Sequence, residues 1–273
     1  MAESSRHTDG SLQRALALAT DALGVSPAGL LTDFDGTLSP IVADPAAARL
    51  VDGAAGPLQA LARRLAVVAI VTGRAPIDAR RMTGVPDLLV VGNHGTEWLE
   101  PGAGAPTPSG GAARIGPLVD EVADRVPALE GVTVERKGLS ATFHYRNAAQ
   151  PVEARGMVVD AIGRLPHGLE LRDGRMSVEL RPVGLGDKGA ATRAIIDRFG
   201  LHGVVVMGDD VTDLDMFAAV DRARGAGQLR GAIIAIGGPD TEVPGGVAAA
   251  ADVVLSGVDD AAALLARLAS ALA

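Results

Sequence analysis

The sequence predicts an α/β fold: a doubly wound parallel-sheet core with a smaller α/β domain inserted into it. Three observations predict it. Short, continuously apolar runs at 67–71 and 88–91 alternate with helical segments, as strands buried on both faces do. The same grammar returns after Pro182, at 204–207, 232–236 and 253–255. Between these halves the strands alternate polar and apolar residues, the signature of a sheet with one open face.

In order, residues 11–23 read as an amphipathic helix and 24–29 as a loop. A strand follows at 30–34, a helix at about 53–65, a strand at 66–72, a helix at 76–82 and a strand at 88–92. Such alternation implies right-handed crossovers. Residues 101–111 shift to Gly, Ala, Pro, Ser and Thr, as a linker or long surface loop does. Then come a helix at about 112–126, strands at 132–137 and 139–146, a helix at about 151–165, and strands at 168–172 and 176–181. Helices near 189–199, 213–220 and 258–272 complete the core. The expected domains are 1–100 with 184–273 as the catalytic core, and 101–183 as the insert.

The 273 residues, 48% hydrophobic but only 2% aromatic, suffice for two cores. A net charge of −8 and a pI near 5.1 argue against nucleic acid or an anionic membrane as partner. A phosphorylated ligand would therefore need a local cationic pocket. The absence of cysteine excludes disulfides and thiol catalysis. Residues 1–10 lack the apolar centre of a signal peptide, and no run is long enough to span a bilayer. A soluble, cytoplasmic, monomeric protein is expected.

The densest chemistry lies at Asp33-Phe34-Asp35-Gly36-Thr37, where an apolar strand delivers two carboxylates into a turn. Paired acids repel unless a cation sits between them or one holds a proton. A hard divalent ion such as Mg²⁺ suits them, leaving one Asp to attack and the other to move protons. Three further sites lie where strands end, the place where open α/β sheets bind ligands. Thr72-Gly73-Arg74 offers a hydroxyl and backbone N–H groups to phosphate. Asp187-Lys188-Gly189 offers an ammonium at a helix start, and Gly208-Asp209-Asp210-Val211-Thr212-Asp213 offers more carboxylates.

The same residues admit other readings. A calcium loop needs glycine at its sixth position, where this chain has Leu38. Gly184 to Gly189 matches a dinucleotide-binding Gly-x-Gly-x-x-Gly, with Asp209 at the distance of a ribose-binding acid. The alternating strand before it and the interrupting Pro182 argue against that use. Taken singly, Thr72-Gly73 could be turn chemistry, Lys188 a solvated helix residue, and Asp209 to Asp213 a helix cap.

In the insert, Ser140, Thr142, His144 and Arg146 share one strand face, opposite Leu139, Ala141, Phe143 and Tyr145. Ser177, Glu179 and Arg181 oppose Met176, Val178 and Leu180, and Thr133, Glu135 and Lys137 oppose Val132 and Val134. The apolar faces are expected to sit on the two helices. An ordinary solvated face is one account of the polar side. Beside the core motifs, Lys137, His144, Arg146, Glu179 and Arg181 also suit a lid that grips a hydroxyl-rich, anionic ligand.

Together, Asp33-Phe34-Asp35-Gly36-Thr37, Thr72, Lys188 and Gly208-Asp209-Asp210-x-x-Asp213 resemble the four motifs of the haloacid dehalogenase superfamily of aspartyl phosphotransferases. Within it the chain, from Leu30 onward, most resembles the trehalose-6-phosphate phosphatases. The telling segments are Asp33 to Pro40, Gly92-Asn93-His94-Gly95, Lys137-Gly138 before Phe143-His144-Tyr145-Arg146, and Val178 to Pro182 with Asp187-Lys188-Gly189. Leu214 stands where the family usually has an acid, and Thr72 where relatives often have serine.

The resemblance implies a Rossmann-like core with an inserted cap, and a Mg²⁺-dependent hydrolysis of trehalose 6-phosphate. It implies that Asp33 attacks phosphorus, that Asp35 protonates the departing sugar oxygen and later deprotonates water, and that Thr72 and Lys188 cradle the phosphate. It places Mg²⁺ on the Asp33 carboxylate, the Asp35 backbone carbonyl and Asp209. Asp210 and Asp213 would orient Lys188 and the waters around the cation. Asn93, His94, Lys137, His144, Arg146, Glu179 and Arg181 would grip the sugar as the cap closes. Two alternatives remain: a phosphatase of another sugar or pseudo-disaccharide phosphate (sucrose phosphate, mannosylphosphoglycerate, an aminocyclitol phosphate), and a non-catalytic sugar-phosphate sensor.

Overall fold

The computed structural model describes the chain except residues 1, 43, 110–111, 137–138, 175, 184–186 and 238–242. The chain divides into two compact units, Met1–Thr107 with Asp187–Ala273, and Pro108–Gly186.

The first unit is built on one sheet. Its strands are β1 (Ala28–Thr32), β2 (Val67–Val71), β3 (Leu89–Gly92), β4 (Glu97–Leu99), β5 (Thr107–Pro108), β10 (Gly203–Gly208), β11 (Arg230–Ile236) and β12 (Val253–Leu255), in the order β12-β11-β10-β1-β2-β3-β4-β5. From β12 to β3 all neighbours are parallel; β4 returns antiparallel to β3. The chain thus winds outward from β1 in both directions, which puts the ends of β1, β2 and β10 side by side.

Both sheet faces are apolar because both are covered. Leu30, Val68, Ile70, Val205 and Ile234 pack with α1 (Ala2–Leu23), α2 (Ala55–Ala62), α3 (Pro76–Thr83) and α9 (Val258–Ala271). Leu31, Ala69, Val71, Val204, Val206 and Ile233 pack with α6 (Lys188–Phe199), α7 (Leu214–Gly225) and α8 (Gly245–Ala250). Local chemistry sets the helix ends: Pro76 opens α3 and Gly84, at φ +66°, closes it. Asp187 caps α6 by accepting from the Ala190 N–H, and Gly200 ends it at φ +57°.

The second unit has the expected α-β-β-α-β-β order: α4 (Ala112–Ala123), β6 (Thr133–Arg136), β7 (Ala141–His144), α5 (Pro151–Ile162), β8 (Leu169–Gly174) and β9 (Ser177–Pro182). Its strands form an antiparallel sheet ordered β6-β7-β9-β8. Ala141, Phe143, Leu169 and Leu180 pack with Val119 and Val122 of α4 and with Val158 and Ile162 of α5.

Several expectations need correcting. The first helix begins at Ala2 rather than residue 11. Strand β1 covers Ala28–Thr32, so Asp33 and Phe34 lie just beyond it, although the Asp33 N–H still reaches the Met207 carbonyl. Strand β4 and helix α8 went unexpected. The first is only three residues long, and the second is spelled Gly-Gly-Val-Ala-Ala-Ala, which reads as loop. Val134, expected to be buried, is 45% exposed because all of β6 lies open at the sheet edge. Among the described residues no helix is long and apolar enough to cross a membrane.

Candidate active site

Strand β1 ends beside β10, and this adjacency builds the site. Asp33 is 6% exposed and Lys188, the first residue of α6, only 2%. Lys188 Nζ lies 2.9 Å from Asp33 Oδ2 and donates to Asp213 Oδ1 at 2.6 Å. The other oxygen of Asp213 accepts from the backbone N–H groups of Asp209 (2.9 Å) and Asp210 (3.0 Å). Asp213 is fully buried, so this single carboxylate fixes both the lysine and the loop after β10. Asp210 does not reach Lys188; its side chain accepts from the Val211 N–H and caps the 3₁₀ turn Val211–Asp213.

Asp209 reaches back to the first loop, where the Thr37 hydroxyl donates to its Oδ1 at 2.7 Å. Gly36, at φ +80°, lies against the same carboxylate, and a Cβ there would collide with it. Asp33, Asp209 and Asp213 each offer an oxygen within 4.8 Å of the others. Three carboxylates face one ammonium, an imbalance that burial makes costly. Burial pushes the Asp33 carboxyl up to about 7; Lys188 pulls against this and Asp213 adds to it. Burial likewise raises Asp209 to about 7, against the Thr37 hydrogen bond and with help from Asp213. Burial opposes the Lys188 ammonium too, but Asp33 and Asp213 outweigh it and hold its proton above the ordinary lysine range. An all-oxygen pocket with surplus negative charge fits a hard divalent cation such as Mg²⁺. Asp33 and Asp209 have oxygens to offer, whereas those of Asp213 are already engaged.

Strands β2 and β3 bring the remaining core residues to the same end of the sheet. Thr72 is 1% exposed and its hydroxyl accepts from the Arg74 N–H at 3.3 Å. Asn93 and His94, both at positive φ, form a turn after β3. The Asn93 N–H donates to the Arg74 carbonyl and the His94 N–H to the Thr72 carbonyl, at 2.9 and 3.0 Å. The His94 ring lies so close to Gly73 that a Cβ there would meet it at 2.7 Å.

The comparisons with known proteins bear on this site. A sequence model of the trehalose-phosphatase family matches residues 31–235. This chain belongs to the trehalose-phosphatase family. A Mycobacterium marinum trehalose-phosphate phosphatase is 39% identical over 210 residues, covering 73% of this chain and 53% of that protein. A Mycobacterium avium trehalose-phosphate phosphatase is 38% identical over 216 residues, covering 76% and 55%. The chain therefore spans about half the length of these curated relatives. A solved Aspergillus fumigatus trehalose-6-phosphate phosphatase superposes with a TM-score of 0.63 at 25% identity, covering 93% of this chain and 97% of that one. The C-terminal domain of a Candida albicans trehalose-6-phosphate phosphatase, at 21% identity and a TM-score of 0.61, shares the fold over 95% of this chain and 96% of that one.

Most of the residues that the sequence reading gives as candidate sugar contacts lie in the second unit. There Glu179 faces Thr142 on β7 and Arg172 on β8. His144 Nε2 lies 3.1 Å from Glu135 Oε2, and Arg181 Nε donates to Glu170 Oε1 at 2.8 Å. Arg146 is exposed just past the end of β7. Lys137 lies outside the described residues, as do Gly184 and Gly186 of the dinucleotide-like motif. Gly189 of that motif serves packing instead: a Cβ would meet the Asp215 carbonyl of α7 at 2.5 Å.

The Asp213 carboxylate stands beside Lys188 and within the acidic cluster. One feature escaped the sequence reading. Arg74 was read only for its backbone, yet its guanidinium grips Asp35 through both carboxylate oxygens, each at 2.6 Å. A lone arginine after Thr-Gly carries no periodic signal, so spacing alone offered no sign of it.

Proposed function

We propose that this chain is a phosphoric monoester hydrolase that releases phosphate from trehalose 6-phosphate. The observation that carries the reading is Lys188, buried between Asp33 and Asp213 beside the Asp209 carboxylate. A buried ammonium and an acidic cation pocket flanking one available carboxylate suit the transfer of a phosphoryl group. The names of the curated relatives supply the sugar.

Asp33 Oδ attacks phosphorus as the bond from phosphorus to the sugar oxygen breaks. Asp35 passes its proton to that oxygen. Water then attacks the aspartyl phosphate, gives a proton to Asp35 and frees Asp33, so that two easier steps replace one hard one. Lys188 neutralises the transferring group, and the Thr72 hydroxyl holds one of its oxygens. When bound by the Asp33 carboxylate, the Asp35 backbone carbonyl and Asp209, Mg²⁺ supplies further charge neutralisation and lowers the proton affinity of both acids. Asp213 keeps Lys188 in place, and Asp210 shapes the loop that carries Asp209. We assign the inserted unit, residues 101–183 in the sequence reading, to recognition of the sugar through Lys137, His144, Arg146, Glu179 and Arg181. Asn93 and His94 contribute from the core.

A panel of sugar phosphates with Mg²⁺, assayed for inorganic phosphate, tests the reading. The highest kcat/KM should fall on trehalose 6-phosphate. Preference for another sugar phosphate would refute the substrate, and tight binding without phosphate release would favour a sensor.

A further inference from the structure

All three nitrogens of the Arg74 guanidinium donate hydrogen bonds. Nε donates to Asp35 Oδ2 and Nη2 to Asp35 Oδ1, each at 2.6 Å, while Nη1 donates to the Pro45 carbonyl at 2.8 Å. Its central carbon stands 5.9 Å from the centroid of the buried Phe34 ring. The backbone is tied as well, the N–H to Thr72 Oγ1 and the carbonyl to the Asn93 N–H. The Arg74 side chain is only 18% exposed. A planar fork of this kind fixes both oxygens of a carboxyl group in one plane, which the single point charge of lysine cannot do. Each oxygen keeps a second lone pair for a reacting proton.

We propose that Arg74 is a positioning residue for Asp35: its fork sets the orientation from which Asp35 delivers a proton to the leaving oxygen. The proposal rests on the phosphatase reading above. The step is unchanged: the bond from Asp33 to phosphorus forms, the bond from phosphorus to the leaving oxygen breaks, and the Asp35 proton moves to that oxygen. What Arg74 adds is selectivity by leaving group. A sugar alkoxide or phenolate departs poorly and needs the proton, whereas nitrophenolate leaves nearly unaided. A residue that merely stapled the loop at Pro45 to the site would affect every ester alike.

The test uses the full chain with Mg²⁺ and a series of esters: 4-nitrophenyl phosphate, phenyl phosphate and an alkyl phosphate. The readout is kcat/KM, which reports the first transfer. For Arg74→Ala we expect a loss of about a hundredfold on the phenyl and alkyl esters and within about threefold on the nitrophenyl ester. Arg74→Lys should show the same slope, and added guanidinium should restore Arg74→Ala on the poor leaving groups first. The double variant Arg74→Ala, Asp35→Asn should be no worse than Asp35→Asn alone. Equal losses on every ester, or additive losses in the double variant, would overturn the proposal. Should Arg74→Ala fail to fold, Arg74→Lys carries the same test. A wild-type chain that cleaves aryl esters and spares trehalose 6-phosphate refutes the substrate reading while leaving the Arg74 comparison intact. A chain that cleaves no ester refutes both.

Discussion

Lys188 Nζ sits 2.6 Å from Asp213 Oδ1 and 2.9 Å from Asp33 Oδ2, with all three groups buried. One ammonium thus holds two carboxylates that would otherwise repel each other in a poorly solvated pocket. Removing it leaves both charges without compensation. We expect Lys188→Met to be inactive and to lose about 3–5 kcal/mol of stability, read by chemical denaturation in EDTA. Unchanged stability would mean that the pocket takes in water more readily than its burial implies.

The Asp209 pocket predicts a metal-dependent gain in stability. A cation that binds only the folded chain adds about 2.7 kcal/mol at a hundred times its Kd. Titrating Mg²⁺ into EDTA-stripped protein should raise Tm, and Asp209→Asn should abolish the rise along with turnover. Gly36→Ala should weaken the Mg²⁺ response as well, because its Cβ meets the Asp209 carboxylate at a backbone angle that disfavours side chains. An undiminished response in either variant would move the cation elsewhere.

The pH dependence follows from the same burial. In the folded, metal-free chain Asp33 and Asp209 lie at about 7, against an ordinary value of 3.8. Between these limits the folded chain holds protons that the unfolded chain has released, so both groups reduce stability as pH rises from about 4 to about 7. Denaturation in EDTA at several pH values should show the advantage of Asp209→Asn over wild type growing through that window. Saturating Mg²⁺ should erase the difference or reverse its sign. A gap that is flat in pH would contradict the assignment.

How much was legible in the sequence follows from what each feature depends on. The core was readable because strands covered on both faces must be apolar throughout, and Leu30 and Leu31 do pack on opposite sides of the sheet. Asp33, Lys188 and Asp209 were readable as candidates because each follows or precedes a clear strand or helix. The fork between Arg74 and Asp35 joins two loops and depends on side-chain direction, which no period encodes. Val134 was misjudged because alternation gives the two faces of a strand but not whether a helix covers its edge. The direction of the Asp210 side chain was not readable either: it caps the turn at Val211, while Asp213 takes the Lys188 hydrogen bond, and only geometry separates the two.

In the second unit, Glu179 lies half-buried between Thr142 and Arg172 on the polar side of the sheet. If it grips a sugar hydroxyl, Glu179→Ala should lower kcat/KM for trehalose 6-phosphate by at least about tenfold, the scale of a lost hydrogen bond to a charged group. The same variant should leave 4-nitrophenyl phosphate nearly untouched. Equal losses on the two substrates would remove the specificity role.

The covalent role of Asp33 can be read directly. Enzyme mixed with trehalose 6-phosphate and Mg²⁺, quenched in acid within milliseconds and reduced with borohydride, should carry homoserine at position 33 by mass spectrometry. Asp33→Asn should show neither the reduced residue nor turnover. An unmodified Asp33 in quenched, actively turning-over enzyme, or full phosphatase activity in Asp33→Asn, would contradict the account.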